Sequence, residues 1–468
     1  MAIYISLFRA IIFFFSRILQ KHFRTPRNLH RKVTNALTHH PKLQKCPSFL
    51  GSGEPLMYDD HGDHDHTLIF NVEETLLKSS SLFPYFMLVT FEAGSPLRAL
   101  LLLALYPLIC FLGKEIGLKI MVMVAFFGIK KKGFMVGRAV LPKVFLEDVG
   151  LEGFEMVNKC KRKVGVSHLP QFMVESFLKD YLKVDHVVGR ELKVFCGHFI
   201  GIMEDNKHDL IHIKGILKEE ERMSSNVIGI SSSKASLSDQ LFAFCKEIYL
   251  TNEATKRKWQ CLPRDSYPKP LIFHDGRLAL KPTPAASLAL FIWLPFGTLL
   301  APLTAVTYSL SRMSEILAPI RTVRLSRDRN RDGIMMKKLL DQGDLVVCPE
   351  GTTCRENFLL RFSPLFGEIS QEIVPVAMDT YVNMFYGTTA GGLKCLDPLF
   401  FLMNPTPSYV VRLLAPVPGA STCQDSVRSR FDVANEVQRD IGKALGFKCT
   451  GLTRKDKYMI LAGNHGVV

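Results

Sequence analysis

Leu345-Val346-Val347-Cys348-Pro349-Glu350-Gly351-Thr352-Thr353 is an apolar run that stops on Pro-Glu-Gly-Thr. The run predicts a buried strand ending in a tight turn. A Gly-Thr turn at a strand end lets backbone N–H groups and a hydroxyl approach a phosphate closely, because glycine adds no Cβ. Glu350 can accept from hydroxyls or orient an arginine. Upstream, Arg321, Arg324 and Arg327 are closely spaced, and Arg355 follows the turn. Planar guanidinium forks match phosphate oxygens. Downstream, Ile373-Val374-Pro375-Val376 predicts a second apolar strand. The arginines can instead form a surface network with Asp328, Asp332 and Glu356. That reading suits any one motif and fits poorly three motifs in this order.

Working outward, 468 residues suggest two or three domains. A 47% hydrophobic, 22% charged chain is globular or membrane-associated, not disordered. The net charge of +15 suits an anionic membrane or anionic substrates; no nucleic-acid motif accompanies it. Residues 1–66 form a basic leader, without acid up to residue 53, that reads as an interfacial anchor or a mitochondrial-type presequence. Residues 67–275 alternate short β-rich runs (Leu68–Val72, His186–Val194, Asn226–Ile230, Pro270–Phe273) with helical patterns, as an α/β domain does. Within them, Ala99–Gly113 is an interfacial or re-entrant helix or a buried helix of a cap. Residues 276–303 are apolar, and residues 304–468 return to α/β alternation. The uncharged stretch Pro282–Ser311 makes Ala285–Val306 a transmembrane candidate, kinked or hairpin-shaped around its prolines. Eleven cysteines without a Cys-x-x-Cys pair indicate reduced thiols and neither a zinc site nor a disulfide framework; Cys348 and Cys354 read as small packing residues. His61-Gly62-Asp63-His64-Asp65-His66 reads as a solvated linker before a metal site, so no metal is expected.

Phe70-Asn71-Val72-Glu73-Glu74-Thr75 resembles the first motif, Asp-x-Asp-Gly-Thr, of haloacid-dehalogenase-like phosphatases. Asn71 stands at the nucleophile position, and a neutral amide cannot form an aspartyl phosphate. Glu73, one methylene longer, stands at the general acid/base position. Gly229-Ile230-Ser231-Ser232-Ser233-Lys234 stands where that family holds Mg²⁺, and hydroxyls such as Ser231 do not replace anionic oxygen ligands. Residues 67–275 therefore read as a retained phosphatase scaffold without phosphatase activity.

The order of these blocks is similar to that of the land-plant glycerol-3-phosphate acyltransferases, which fuse a phosphatase-like domain to a phosphate acyltransferase domain. The resemblance rests on the segments 267–284, 304–329 and 343–366 and covers nearly the whole chain. It implies an α/β acyltransferase domain after the α/β phosphatase-like one, membrane association, acyl-CoA as co-substrate without a further cofactor, and glycerol-3-phosphate as acceptor. It implies a role in membrane lipid or in cutin- and suberin-type surface lipid. The basic leader sets the organelle, and the endoplasmic reticulum is expected in preference to mitochondria. By motif, Arg321, Arg324 and Arg327 match the second block, Glu350, Gly351 and Thr352 the third, and Pro375 and Val376 the fourth.

The first block, His-x4-Asp, has no match. None of the fourteen histidines has Asp five positions on, and none lies between His274 and His465. In such an enzyme the histidine takes the proton of the attacking hydroxyl and the aspartate orients it. His274-Asp275 has the wrong spacing and precedes the domain. Phe291–Ala301 reads as the domain's opening hairpin and Thr304 as the start of a later strand. A strand, helix and catalytic loop are thus missing between them. The chain is expected to be an impaired enzyme, or else a non-catalytic membrane or partner-binding regulator.

Overall fold

The computed structural model describes residues 67–132, 134–205, 211, 213–215, 227–231, 241–310, 323, 325–326, 328–355, 357–391, 396–419 and 429–463. The basic leader, the His61–His66 cluster, Arg321, Arg324 and Arg327 lie outside them. The chain divides into two units, Met1–Pro270 with Pro282–Ala285, and Leu271–Lys281 with Ala286–Val468.

The first unit is built on a six-stranded sheet. Its strands are Thr67–Asn71 (β1), Arg162–Pro170 (β2), His186–Phe195 (β3), His198–Asp205 (β4), Val227–Ser231 (β5) and Glu247–Leu250 (β6). Their order is β4-β3-β2-β1-β5-β6, parallel except for β4. Central parallel strands are covered on both faces and so read as continuous apolar runs. Leu68, Ile69 and Phe70 of β1 are accordingly buried, as is all of β5. The predicted strands at 68–72, 186–194 and 226–230 are thus present within a residue. Cys196 and Gly197, both at positive φ, turn β3 into β4, the backbone that a two-residue hairpin requires. The chain runs from β1 outward through β2, β3 and β4 on one side and returns to place β5 and β6 on the other, so the carboxyl ends of β1, β2 and β5 frame a switch-point crevice. The short helix α1 (Val72–Thr75) starts there, capped by Asn71. Helix α2 (Lys114–Phe126) is buried from Ile120 to Phe126. Ala99–Gly113 lies across two helices, Pro96–Ala104 and Tyr106–Leu112, each too short to span a bilayer. A third short helix, α3 (Glu253–Lys256), follows β6.

Pro284–Leu310 is one 27-residue helix, α4, which belongs to the second unit from Ala286 onward, and the expected hairpin does not form. Pro295 and Pro302 each remove one N–H, which kinks a helix without reversing it. Pro284–Pro302 is long and apolar enough to cross a membrane. The strands that follow are fragmentary. Phe358–Leu359 (β7) pairs with Lys448–Cys449 (β12), Glu372–Ile373 (β8) with Val417–Pro418 (β11), and Val376–Tyr381 (β9) with Ser408–Leu413 (β10). Helix α5 (Arg430–Leu445) packs Val433, Ala434, Val437 and Ile441 against Leu359, Phe362, Phe366 and Ala377. A capping box of Ser429 and Asp432 starts α5, and left-handed Gly446 ends it. The last described helix, α6 (Arg454–Ala462), repeats the device with Thr453, Asp456 and Gly463.

Three predicted strands do not form. The one expected from Thr304 onward is helical instead, because Thr304 lies in the uncharged run that α4 continues through. Leu345–Cys348 and Pro270–Phe273 are irregular, and Val346 is 89% exposed. A strand needs a neighbour to satisfy its backbone groups, and among the described residues the short sheets of this unit offer Leu345–Cys348 none.

Candidate functional site

The turn after Val347 sets the site. The Gly351 N–H donates to the Cys348 carbonyl at 3.2 Å, closing a β-turn with Pro349 and Glu350 at its centre. Gly351 has φ +66°, a backbone state in which a side chain is strained. Two bonds hold the turn from beneath: Ser363 N–H to the Pro349 carbonyl, 2.9 Å, and Leu360 N–H to Glu350 Oε1, 2.7 Å.

Beyond the turn lies a cavity of about 460 Å³ lined by Gly351–Arg355, His274, Asp275, Leu325, Thr388, Thr389, Arg454 and Lys457, among others. Lys457 Nζ lies 3.2 Å from Thr352 Oγ1 and also donates to the Thr353 carbonyl. The Arg355 guanidinium stacks 4.5 Å over Tyr386, whose ring is 5.0 Å from that of His274. The Asp275 carboxylate accepts from the Ala390 and Gly391 N–H groups. Asp397, which also lines the cavity, is paired with Arg277 at 2.5 Å. Burial holds the Lys457 ammonium below the usual lysine range. Burial also raises the Asp275 and Glu350 carboxyls, against the backbone N–H bonds that each accepts. The wall carries three cationic side chains and several hydroxyls, and suits a small anion with a hydroxylated tail.

Gly351, Thr352 and Arg355 line this cavity as the sequence suggests. Glu350, expected to face hydroxyls or an arginine, instead anchors the turn through Leu360. Pro375 and Val376 are not among the lining residues: the Pro375 carbonyl accepts from Leu414 N–H, and Val376 opens β9 with 43% exposure. Cys348 is exposed and not packed, while Cys354 lines the cavity. His274 and Asp275, assigned from sequence to the end of the N-terminal domain, belong to the second unit and to this wall. Sequence reading also missed Arg454 and Lys457. Their signal was present: Lys457 shares the buried stripe of α6 with Tyr458 and Leu461, a lysine on the apolar face of an amphipathic helix.

The crevice of the first unit is filled by its own side chains. Asn71 Nδ2 is 3.2 Å from His168 Nε2, and Asn71 Oδ1 accepts from Glu74 N–H. Ser167 Oγ donates to Glu73 Oε1, and Ser231 Oγ to Glu74 Oε2 at 2.8 Å. Lys256 of α3 is buried, with Nζ donating to the Glu73 carbonyl at 2.6 Å. Burial lowers its proton affinity against the pull of Glu253, Glu74, Glu73 and Asp148. The three degenerate positions, Asn71, Glu73 and Ser231, thus do come together. Two serine–glutamate pairs and a lysine bonded to a backbone carbonyl stand where the phosphatase chemistry needs aspartates.

Comparison with known proteins bears on both units. Residues 67–251 match the family described as the haloacid-dehalogenase-like domain of RAM2-like glycerol-3-phosphate acyltransferases. The chain is 51% identical to an Arabidopsis thaliana protein named probable glycerol-3-phosphate acyltransferase 3, over 99% of each. It is 49% identical to probable glycerol-3-phosphate acyltransferase 2 of the same plant, over 99% of this chain and 98% of the relative. It is 38% identical to the Petunia hybrida glycerol-3-phosphate acyltransferase RAM2, over 85% of this chain and 97% of the relative. The first alignment runs 536 positions against a chain of 468 residues, so at least 68 of them have no counterpart here.

Proposed function

This chain belongs to the glycerol-3-phosphate acyltransferase family of plants, and on that footing we propose that its second unit binds glycerol-3-phosphate in the Gly351–Arg355 cavity but transfers acyl groups to it at a strongly reduced rate. In the reaction the acceptor hydroxyl attacks the thioester carbonyl of acyl-CoA, an ester forms, and the CoA thiolate leaves. A base must take the hydroxyl proton. The cavity supplies cations and hydroxyls for the phosphate, and the turn held by Glu350 fixes their spacing. No further cofactor is required.

One observation carries the reduced rate. The chain aligns over 99% of its length with the first of these relatives, yet at least 68 positions of that alignment have no residue here, and no His-x4-Asp pair occurs anywhere in it. The unpaired Leu345–Cys348 run supports the same reading, since a lost strand would leave it without a neighbour. Membrane lipid covers the exposed side of α4 in this proposal, at the endoplasmic reticulum in preference to mitochondria, and the product feeds membrane or surface lipid. The exposed apolar strands favour a second reading, a non-catalytic partner of an intact relative.

Acyl transfer from acyl-CoA to labelled glycerol-3-phosphate, measured in membranes holding equal amounts of protein, tests this. Losing a positioned base costs about 10²–10⁴-fold. Inserting the His-x4-Asp block of an intact relative between Pro302 and Thr304 should recover that factor. Turnover by the unmodified chain equal to that of the restored one overturns the proposal. If that turnover is abolished by His274→Ala, the base is His274.

A further inference from the structure

Lys457 is 7% exposed, and its two hydrogen-bond partners, the Thr352 hydroxyl and the Thr353 carbonyl, are both neutral. Among the described residues no carboxylate lies within ion-pair distance of its ammonium. The nearby acids are engaged elsewhere: Glu350 with Leu360 N–H, Asp275 with the Ala390 and Gly391 N–H groups, Asp397 with Arg277. A desolvated ammonium held only by neutral groups is costly, and an arriving anion offsets that cost. The position is built and not adventitious. The Thr453–Asp456 capping box fixes the start of α6, and Tyr458 and Leu461 anchor its inner face, so Lys457 is carried to the turn by the helix register.

We infer that Lys457, beside the Thr352 hydroxyl, is the principal ligand of a phosphomonoester dianion in this cavity, with Arg454 and Arg355 on the same wall. The inference rests on reading the cavity as the acceptor site and adds a residue 105 positions beyond the Gly-Thr turn, in a segment none of the acyltransferase motifs covers. The ammonium faces Glu350, Cys354 and Arg355 of the turn segment, Asp275 across the cavity and Tyr458 on its own helix. Because burial already weakens its hold on the proton, phosphate affinity should fall with rising pH below the usual lysine range, over a span where phosphate stays dianionic.

The test is calorimetry and thermal melting of the full chain in detergent, with inorganic phosphate, glycerol-3-phosphate, and glycerol as uncharged control. Phosphate and glycerol-3-phosphate should bind and raise the melting temperature, and glycerol should do neither. Lys457→Met should weaken both anions about ten- to hundredfold, the loss of a hydrogen bond to a charged group, while Lys457→Arg retains most of the affinity. If Lys457→Met binds glycerol-3-phosphate like the wild type, the inference fails and the acceptor reading stands. If the wild type binds phosphate through Lys457 but not glycerol-3-phosphate, the acceptor reading fails and the anion site stands. Binding of neither overturns both. Should Lys457→Met not fold, a flat wild-type pH profile overturns the role of Lys457.

Discussion

At Glu350, bonding and burial oppose one another. The carboxylate accepts from the Leu360 N–H, yet burial raises its pKa above the ordinary value. A carboxyl whose folded pKa is raised contributes stability below its unfolded value of 4.5 and loses it as pH rises through the folded one. Glu350→Gln keeps an acceptor for Leu360 and removes the charge. Its melting temperature relative to wild type should therefore improve as pH rises above 4.5. Glu350→Ala leaves a backbone N–H unmet and should cost about 1–3 kcal/mol, read from denaturant midpoints. A Gln variant that melts like Ala at every pH would refute the anchoring role. A second residue-scale expectation concerns Asn71. Asn71→Asp alone should release no phosphate from lysophosphatidic acid with Mg²⁺, because Ser231 adds no anionic ligand and the Lys256 ammonium bonds the Glu73 carbonyl; measurable Mg²⁺-dependent release would sink that account. Gly351 and Thr352 were legible in sequence because a glycine at a turn has a local cause. Lys457 was legible only as a lysine on the apolar face of α6, because what it faces depends on how α6 docks beside a turn more than a hundred residues earlier.

Among elements, the legible strands were those with neighbours on both sides. β1 and β5 are buried throughout, and apolar but for Thr67, Asn71 and Ser231, because the sheet and its helices enclose them. Leu345–Cys348 has the same composition but no partner, so composition alone misassigned it. Helix α4 was legible as apolar, and its burial adds what composition could not. Leu290 and Ala301 are buried, Trp293 Nε1 donates to the Met403 carbonyl, and Leu288, Ile292, Phe296 and Leu299 are exposed at helical spacing. One side of α4 packs on its own unit and the other presents a stripe that suits acyl chains. We propose that this stripe holds the protein in the membrane. A chain lacking residues 1–66 should stay in the carbonate-resistant fraction, and Ile292→Asp with Phe296→Asp should release it to the soluble fraction. Release of the truncated chain without those substitutions would assign anchoring to the leader instead.

At the scale of the whole chain, the two units differ in how completely they are enclosed. The first has a six-stranded sheet whose central strands are buried throughout. Among the described residues the second has three two-stranded sheets, and β9 and β10 expose Met378, Tyr381, Tyr409, Val411 and Leu413. An isolated two-stranded sheet is marginal in water, and independent stability needs a third strand or a packed helix. Val346 and Leu413 are aliphatic residues exposed beyond what a finished core leaves. The aligned positions missing from this chain are enough to supply a strand and a helix. The second unit should therefore be cleaved by protease first, at concentrations that leave residues 67–251 intact, and the full chain should bind a hydrophobic dye in the native state. Restoring the missing block should suppress dye binding and protease sensitivity together, because the same residues that bring the base would also cover the open strands. If the restored chain regains acyl transfer while its dye binding and cleavage remain those of the unmodified one, the exposed strands are not where the missing block packs, and its loss removed chemistry without opening the core.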